Sequence, residues 1–488
     1  MTQDRSKQAG MLTSAELIRF GFKSIIGIVL ARILIPAELG TYRQLFLIYA
    51  TFSTLMLLGI PQSALFFLPK LRHIDSKKEF ISRTVNLVTL LAFLFGIAIF
   101  AFRGFIARIF NNPRLDLLLI IYAVYPLFMF VTQIYSSITL GMKRPSKTIA
   151  FTLFSVASDA VFILGTALLT RNLYYIVLGV MVSAFIQWGF AHFNLNSYRT
   201  KVSFDPEFYR EVFQYSLPLG LASIIGMLSI QLDKFVVSGF FTPAQYAVFS
   251  IGAVELPFIS ILANSVNAIL LPSISGDPGR LTDIYRAAVR KNALIIFPLA
   301  MLFFIFAHPI ITLLYTDTYA ASVPYFQVYL LILPLRIATY GIIFMALKKT
   351  RYIMLNSIFV LLLNLVLNLI LVKSMGMMGA AVATVIATWI SVGIYLYWIK
   401  RKLLFRLPEL FPFKALLRTL VAVLLAGLLA ASILWIFGRA GGTQILSAAV
   451  FAVAYLALAR FLNAILPYDV QYALKLIDQA RTRIKRVF

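Results

Sequence analysis

Glu16, Arg19 and Lys23 stand at i, i+3 and i+7 in a stretch that is otherwise mostly apolar. At helical pitch they fall within about 60° of one another, so one face would carry two cations and a carboxylate. Guanidinium and ammonium groups on a cavity wall bind anions, phosphates above all, and Glu16 would serve as local counter-ion. The plainer alternative is a self-neutralised Glu16–Arg19 pair near the end of the span. Lys23 lies too deep for its ammonium to reach water easily, which favours a cavity. A second stretch places Tyr325, Tyr329, Arg336 and Tyr340 on one helical face, with Pro334 expected to kink the helix beside Arg336. Aromatic faces stack on sugar rings, phenols bond to hydroxyls, and a guanidinium grips phosphate with two parallel hydrogen bonds. Ordinary helix packing with a belt of Tyr is the competing explanation.

Carboxylates and amides complete the polar set. Asp159 shares a stripe with Thr152, Ser155 and Thr166. It could hold a coupling cation or proton, or pair with Lys23 or Arg19. Asp233 and Lys234 are adjacent and so point about 100° apart in a helix. Lys234 is a candidate substrate cation, and Asp233 and Glu255 are further candidates for a coupling ion. Asn264 follows Glu255, and Asn364 lies with Ser357 and Asn368 along another face. Such amides serve as helix-packing hydrogen bonders or as cavity lining. The cations Arg19, Lys23, Lys234 and Arg336 equal the acids Glu16, Asp159, Asp233 and Glu255 in number. Whether a cavity is positive therefore depends on how these groups are distributed.

Other chemistries are poorly served. The chain has no Cys, and its three His (His73, His192 and His308) are far apart. No catalytic residue, metal site or cofactor is expected, and no phosphate-binding Gly-rich loop of the Walker type occurs. The protein reads as a non-enzyme.

The elements that must position these groups follow from composition. Of 488 residues, 61% are hydrophobic and 13% charged. A soluble chain carries about a quarter charged residues. The expected fold is an all-α polytopic membrane protein of about 14 transmembrane helices, with apolar stretches recurring through residue 466. All connections are short, which leaves no exposed loop to house a catalytic centre. The formal charge of +26 would suggest nucleic acid in a soluble protein. Here 30 of the 44 Lys and Arg fall on one set of alternate connections together with both termini. The positive-inside rule then puts both termini in the cytoplasm, and no nucleic-acid partner is expected.

The chain also repeats a motif. Pro36-Ala37-Glu38-Leu39-Gly40-Thr41-Tyr42 and Pro243-Ala244-Gln245-Tyr246-Ala247-Val248-Phe249 both fit P-A-[EQ]-x-[GA]-x-[YF]. They precede equivalent spans about six helices apart. This predicts two six-helix lobes, 1–200 and 201–402, related by an axis along the membrane normal with a site between them. Two further spans occupy 403–466. Residues 467–488 alternate apolar and basic positions as an amphipathic tail helix on the cytoplasmic membrane surface.

The run from Ala31 to Tyr42, followed by Leu58-Gly59-Ile60 and Leu68-Pro69, resembles the opening of the polysaccharide-biosynthesis flippases of the Wzx, or O-antigen flippase, type. Gln231-Leu232-Asp233-Lys234 leading into Pro243 is similar to that family's seventh span. The wider superfamily also holds multidrug extruders and lipid II flippases. The resemblance implies a bacterial inner-membrane protein that turns an undecaprenyl- or other polyprenyl-pyrophosphate-linked oligosaccharide to the periplasmic leaflet by alternating access. It implies partners among the bilayer lipids, the polysaccharide polymerase and the chain-length machinery, and cavity cations at Arg19 and Lys23. The alternative is a cation-coupled drug or metabolite exporter, in which Asp159, Asp233 and Glu255 would dominate.

Overall fold

The computed structural model describes residues 2–254, 281–438, 440–467 and 469. The described residues are helices and short connections, with no strand among them. Nine of these helices are long and apolar enough to cross a membrane, and three bent pairs bring the number to twelve. The shortfall from fourteen has two sources. The first helix, Thr2–Ile33, carries Glu16, Arg19, Lys23 and Arg32 and is too charged to count by composition. The expected span at 246–272 lies mostly outside the described residues.

Packing groups the chain into two units. The first comprises Met1–Ile251, Leu314–Ala321 and Asn364–Ala380; the second comprises Gly252–Leu313, Ser322–Leu363 and Ala381–Phe488.

In the first unit, α1 (Thr2–Ile33) runs without a break to a tight connection and α2 (Pro36–Leu57). Pro36 opens α2 where its missing N–H costs no hydrogen bond. Leu58 and Gly59 both take positive φ, and α3 (Ile60–Phe67) leaves at 49° to α2. Gly59 is required there: a Cβ would come within 2.4 Å of the Ser216 carbonyl oxygen on α10 (Pro206–Phe240). The unit continues with α4 (Ile74–Ile109), α5 (Arg114–Tyr122), α6 (Tyr125–Gly141), α7 (Pro145–Asp159), α8 (Gly165–Thr170), α9 (Leu173–Asn196), α10 and α11 (Pro243–Gly252). Asp205 caps α10 through the N–H groups of Glu207 and Phe208 and pairs with Arg83 at 2.8 Å. The two copies of the repeated motif touch. A Cβ on Gly40 would lie 1.8 Å from the carbonyl oxygen of Pro243, so the backbones meet where only glycine fits.

The second unit holds α12 (Leu281–Ile305), α13 (Ala307–Tyr315), α14 (Val323–Leu330), α15 (Gly341–Ala346), α16 (Arg351–Met375), α17 (Met377–Arg401), α18 (Phe413–Ile436) and α19 (Gly441–Phe461), with the ends of α13 and α16 packing in the first. Small residues let α18 and α19 approach closely: Ala422, Ala426, Ala430 and Ala459 are buried with Phe451 and Tyr455. Arg290 on α12 grips Asp469 with two hydrogen bonds, 2.6 and 2.9 Å. Burial pushes the Asp469 carboxyl up, but the Arg290 guanidinium and the Leu466 N–H outweigh it and hold it below the usual carboxylate range. Of the expected tail helix, only residues 467 and 469 are described.

The structure corrects one expectation here. Tyr325, Tyr329, Arg336 and Tyr340 do not share a helical face. The chain bends by 43° between Asp317–Leu330 and Leu333–Ala346. A 3-10 turn occupies Leu333–Ile337 and Ala338 is extended. Pro334 cannot donate into an α-helical ladder, and its effect exceeds a kink: the register is lost.

Candidate functional site

The unbroken α1 delivers what its spacing predicts. Glu16, Arg19 and Lys23 all line one cavity of about 570 Å³ in the first unit. Arg19 donates to Glu16 at 2.5 Å, across one turn. Lys23 sits farther along the helix, its side chain open to the cavity.

Across from α1, α7 supplies Ser155 and Asp159. The regular helix stops at Asp159, and residues Ala160–Leu164 form a π-helical turn before α8 resumes. Such single π turns recur at functional sites, because they re-aim side chains relative to a straight helix. Two donors on α9 fix the carboxylate: Ser183 Oγ at 2.7 Å and Gln187 Nε2 at 2.8 Å. Gln187 also donates to Ser183 at 2.9 Å, so the three form one closed network. Lys23 and Asp159 each feel the other's charge. Aromatic and amide side chains complete the wall: Tyr42 and Phe46 from α2, Tyr125 and Gln133 from α6. Gln133 donates to Tyr49 at 2.7 Å.

The formal charges of Glu16, Arg19, Lys23 and Asp159 cancel. The cavity is thus rich in charge and neutral overall. A balanced set of this kind costs less in a bilayer than the cations alone. It also offers an incoming anion two cations, Arg19 with a partner, Glu16, that the anion can replace, and Lys23 within reach of Asp159's charge.

Lys234 lies elsewhere in the same unit. With Arg43, Gln231, Tyr246 and Ser250 it lines a smaller cavity of about 310 Å³. Arg43 donates to Ser250 Oγ at 2.8 Å. Asp233 is buried, and its carboxylate accepts the backbone N–H of Lys234 at 2.7 Å. Asn364 is buried on α16, where its side-chain oxygen accepts from Asn368 at 2.8 Å.

The remaining candidates lie in the second unit or outside the described residues. Arg336 is exposed on the 3-10 turn. Tyr340 stacks on Tyr395 and Phe411 at centroid distances of 6.3 and 6.1 Å. Tyr329 belongs to α14. None of these three lines either cavity described above. Glu255 and Asn264 lie outside the described residues.

Three features escape the sequence. Arg43 counts as a loop charge by hydropathy, yet it is two turns inside α2. Gln133 and Gln187 sit singly in apolar helices with no stripe to mark them. The π turn at Ala160–Leu164 has no Pro or Gly pair to announce it.

Comparison with known proteins bears on this arrangement. A family model described as "Polysaccharide biosynthesis protein" matches residues 29–324. Its matched range takes in Arg43, Asp159 and Lys234 and begins after Arg19 and Lys23. An uncharacterized membrane protein of Methanocaldococcus jannaschii is 25% identical over 390 residues, covering 71% of this chain and 74% of the relative. Among solved structures, the lipid II flippase MurJ in an inward closed conformation is similar with a TM-score of 0.74 and 17% identity, covering 93% of this chain and 98% of that one. An inward-facing multidrug resistance transporter of the MATE family is similar with a TM-score of 0.66 and 13% identity, covering 79% of this chain and 97% of that one. At such identities the likeness establishes the fold alone, that of a polytopic helical membrane protein. On the family match the chain belongs to the polysaccharide biosynthesis protein family, and its fold is the one seen in these two solved structures.

Proposed function

We propose that the protein is a flippase for a polyprenyl-pyrophosphate-linked oligosaccharide, moving it from the cytoplasmic to the periplasmic leaflet for surface polysaccharide synthesis. The observation that carries this is the α1–α7–α9 cavity, which sets Arg19 and Lys23 among tyrosines and amides inside a membrane helix bundle. A pyrophosphate bears several negative charges and needs cations at depth to offset its desolvation. Tyr and Gln side chains suit a hydroxylated head group. In the cycle we envisage, the pyrophosphate displaces Glu16 from Arg19 and competes with Asp159 for Lys23. The polyprenyl tail stays in lipid. Rocking of two lobes, 1–200 and 201–402, with 403–466 as an added helix pair, then exposes the head group to the far side. Both termini lie in the cytoplasm in this scheme, as the Lys and Arg distribution favours.

A second reading draws on Asp159. A carboxylate released from Lys23 inside a bilayer is costly unless it takes up a proton or cation. Its two fixed donors and the adjacent π turn favour Asp159 as the coupling group, of the flippase or of a cation-coupled exporter.

The test is leaflet exchange of a labelled polyprenyl-pyrophosphate oligosaccharide in proteoliposomes, with wild type compared against Arg19→Ala and Lys23→Ala at matched protein. Exchange that collapses in both variants supports the proposal. Exchange by wild type that neither change alters moves the binding site elsewhere. Absence of exchange by folded wild type under an imposed potential, proton or sodium gradient favours the exporter.

A further inference from the structure

We infer that the smaller cavity, between α2, α10 and α11, is a second station for a pyrophosphate-class anion, occupied after the α1 cavity; as a step in transport it rests on the flippase proposal. The two cavities differ in charge. The first is balanced by Glu16 and Asp159, whereas no carboxylate lines the second among the described residues. Its lining carries two cations, Arg43 and Lys234, and two neutral donors, Gln231 and Ser250. Asp233, next to Lys234 in the chain, is 2% exposed and not part of the wall. An anion entering there meets no carboxylate to displace among the described wall residues.

The guanidinium is also held in place. The 2.8 Å bond from Arg43 to Ser250 joins α2 to α11 and anchors one arm of the donor fork. A fixed fork matches two phosphate oxygens better than a mobile ammonium does.

The cavities are neighbours. Tyr42 and Phe46 line both, so one layer of aromatic side chains stands between them. These rings pack on each other at 4.8 Å, and Phe46 contacts Tyr122 and Tyr125 edge-on. The stations are offset along the bundle as well. At 1.5 Å per residue, Arg19 and Lys23 lie about 21 and 15 Å from the Ile33 end of α1. Arg43 lies about 10 Å into α2 from Pro36, and Lys234 about 9 Å from the Phe240 end of α10. Since α1 and α2 meet in a tight connection, Arg43 lies about 5 Å nearer that end than Lys23, although the two linings overlap in depth along α2. An anion leaving Arg19 and Lys23 toward that end passes the Tyr42–Phe46 layer and meets Arg43 and Lys234.

Inorganic pyrophosphate titrated into the full chain in phosphatidylcholine nanodiscs tests this. Wild type should bind two equivalents. The Arg43→Gln/Lys234→Gln variant should bind one, and Arg19→Gln/Lys23→Gln should keep the other. Lys234→Gln alone leaves the Arg43–Ser250 bond intact and should weaken that site about tenfold, which guards against misfolding of the double variant. Unchanged stoichiometry and affinity in folded Arg43→Gln/Lys234→Gln and Lys234→Gln proteins would overturn the inference. An anionic lipid headgroup offers the same chemistry as the substrate. Loss of the second equivalent in phosphatidylglycerol nanodiscs would assign the pocket to lipid and overturn the station, and its retention supports it. These counts need no transport, so a wild type that fails to flip lipid refutes the flippase proposal separately.

Discussion

The face of α1 and the segment from Asp317 to Ala346 start as the same kind of sequence: polar side chains, cations among them, at helical spacing within an apolar span. They end differently. In α1 no proline interrupts residues 2–33, and Glu16, Arg19 and Lys23 emerge on one cavity wall. In the second segment Pro334 breaks the helix, and Arg336 and Tyr340 fall on either side of extended Ala338. Periodicity therefore identifies a functional face only where the backbone keeps its register. The cost of a charge at membrane depth persuades only once a cavity is found to receive it.

The widest gap between the two regions should appear in transport. Loss of a charge-assisted contact costs about 1.5–3 kcal/mol, so Lys23→Ala and Arg19→Ala should each slow leaflet exchange by about 10- to 100-fold. Arg336→Ala should stay within about threefold, as for an exposed position that lines neither of the two cavities described. Equal losses at Arg336 and Lys23 would break the comparison.

Packing gives the next contrast. Gly40→Ala puts a methyl against the backbone of Pro243, which cannot yield without moving α11. It should cost about 1–3 kcal/mol or more, read as a lowered melting temperature in detergent. Gly427→Ala in the second unit meets only the Met301 side chain, at 3.1 Å. A methionine can re-pack, so the cost there should stay below about 1 kcal/mol.

The Arg290–Asp469 pair yields a smaller, pH-dependent effect. The folded Asp469 carboxyl titrates below its unfolded value of about 3.9. Its contribution to stability is therefore complete above that value and disappears as pH falls through the folded one. Asp469→Asn should lower the melting temperature by a few degrees at neutral pH. Its deficit should shrink in acid, where wild type loses the same interaction. A deficit that persists unchanged well below the folded value would show that the effect is not ionic.

Much of the fold is legible in the sequence because long apolar stretches in a bilayer have few alternatives to helix. The repeated Pro-Ala motif marks two helix starts, and Gly59 marks a bend. What escapes is set by tertiary contact. Nothing near Gly40 reveals that Pro243 lies against it. Arg43 resembles a loop residue until α2 is seen to begin seven residues earlier. At the site, the α1 face follows from spacing, but its neutral balance depends on Asp159 arriving from α7, and Asp159 depends on two donors from α9. Helical periodicity carries no information about which neighbouring helix will answer a charge.

The finest distinction concerns two serines that do similar local work. Ser447 donates to the Ala430 carbonyl at 2.7 Å and ties α19 to α18. Ser183 donates to Asp159 at the same distance and ties α9 to α7. Interhelical bonds in membranes are worth about 0.6 kcal/mol on average, so each Ser→Ala change should lower the melting temperature by a similar small amount. Only Ser183→Ala should also alter leaflet exchange and its dependence on an imposed proton gradient, because it frees one side of the carboxylate that faces Lys23. If both variants lose stability and neither changes transport, Asp159 is packing glue like Ser447, and coupling must be sought elsewhere.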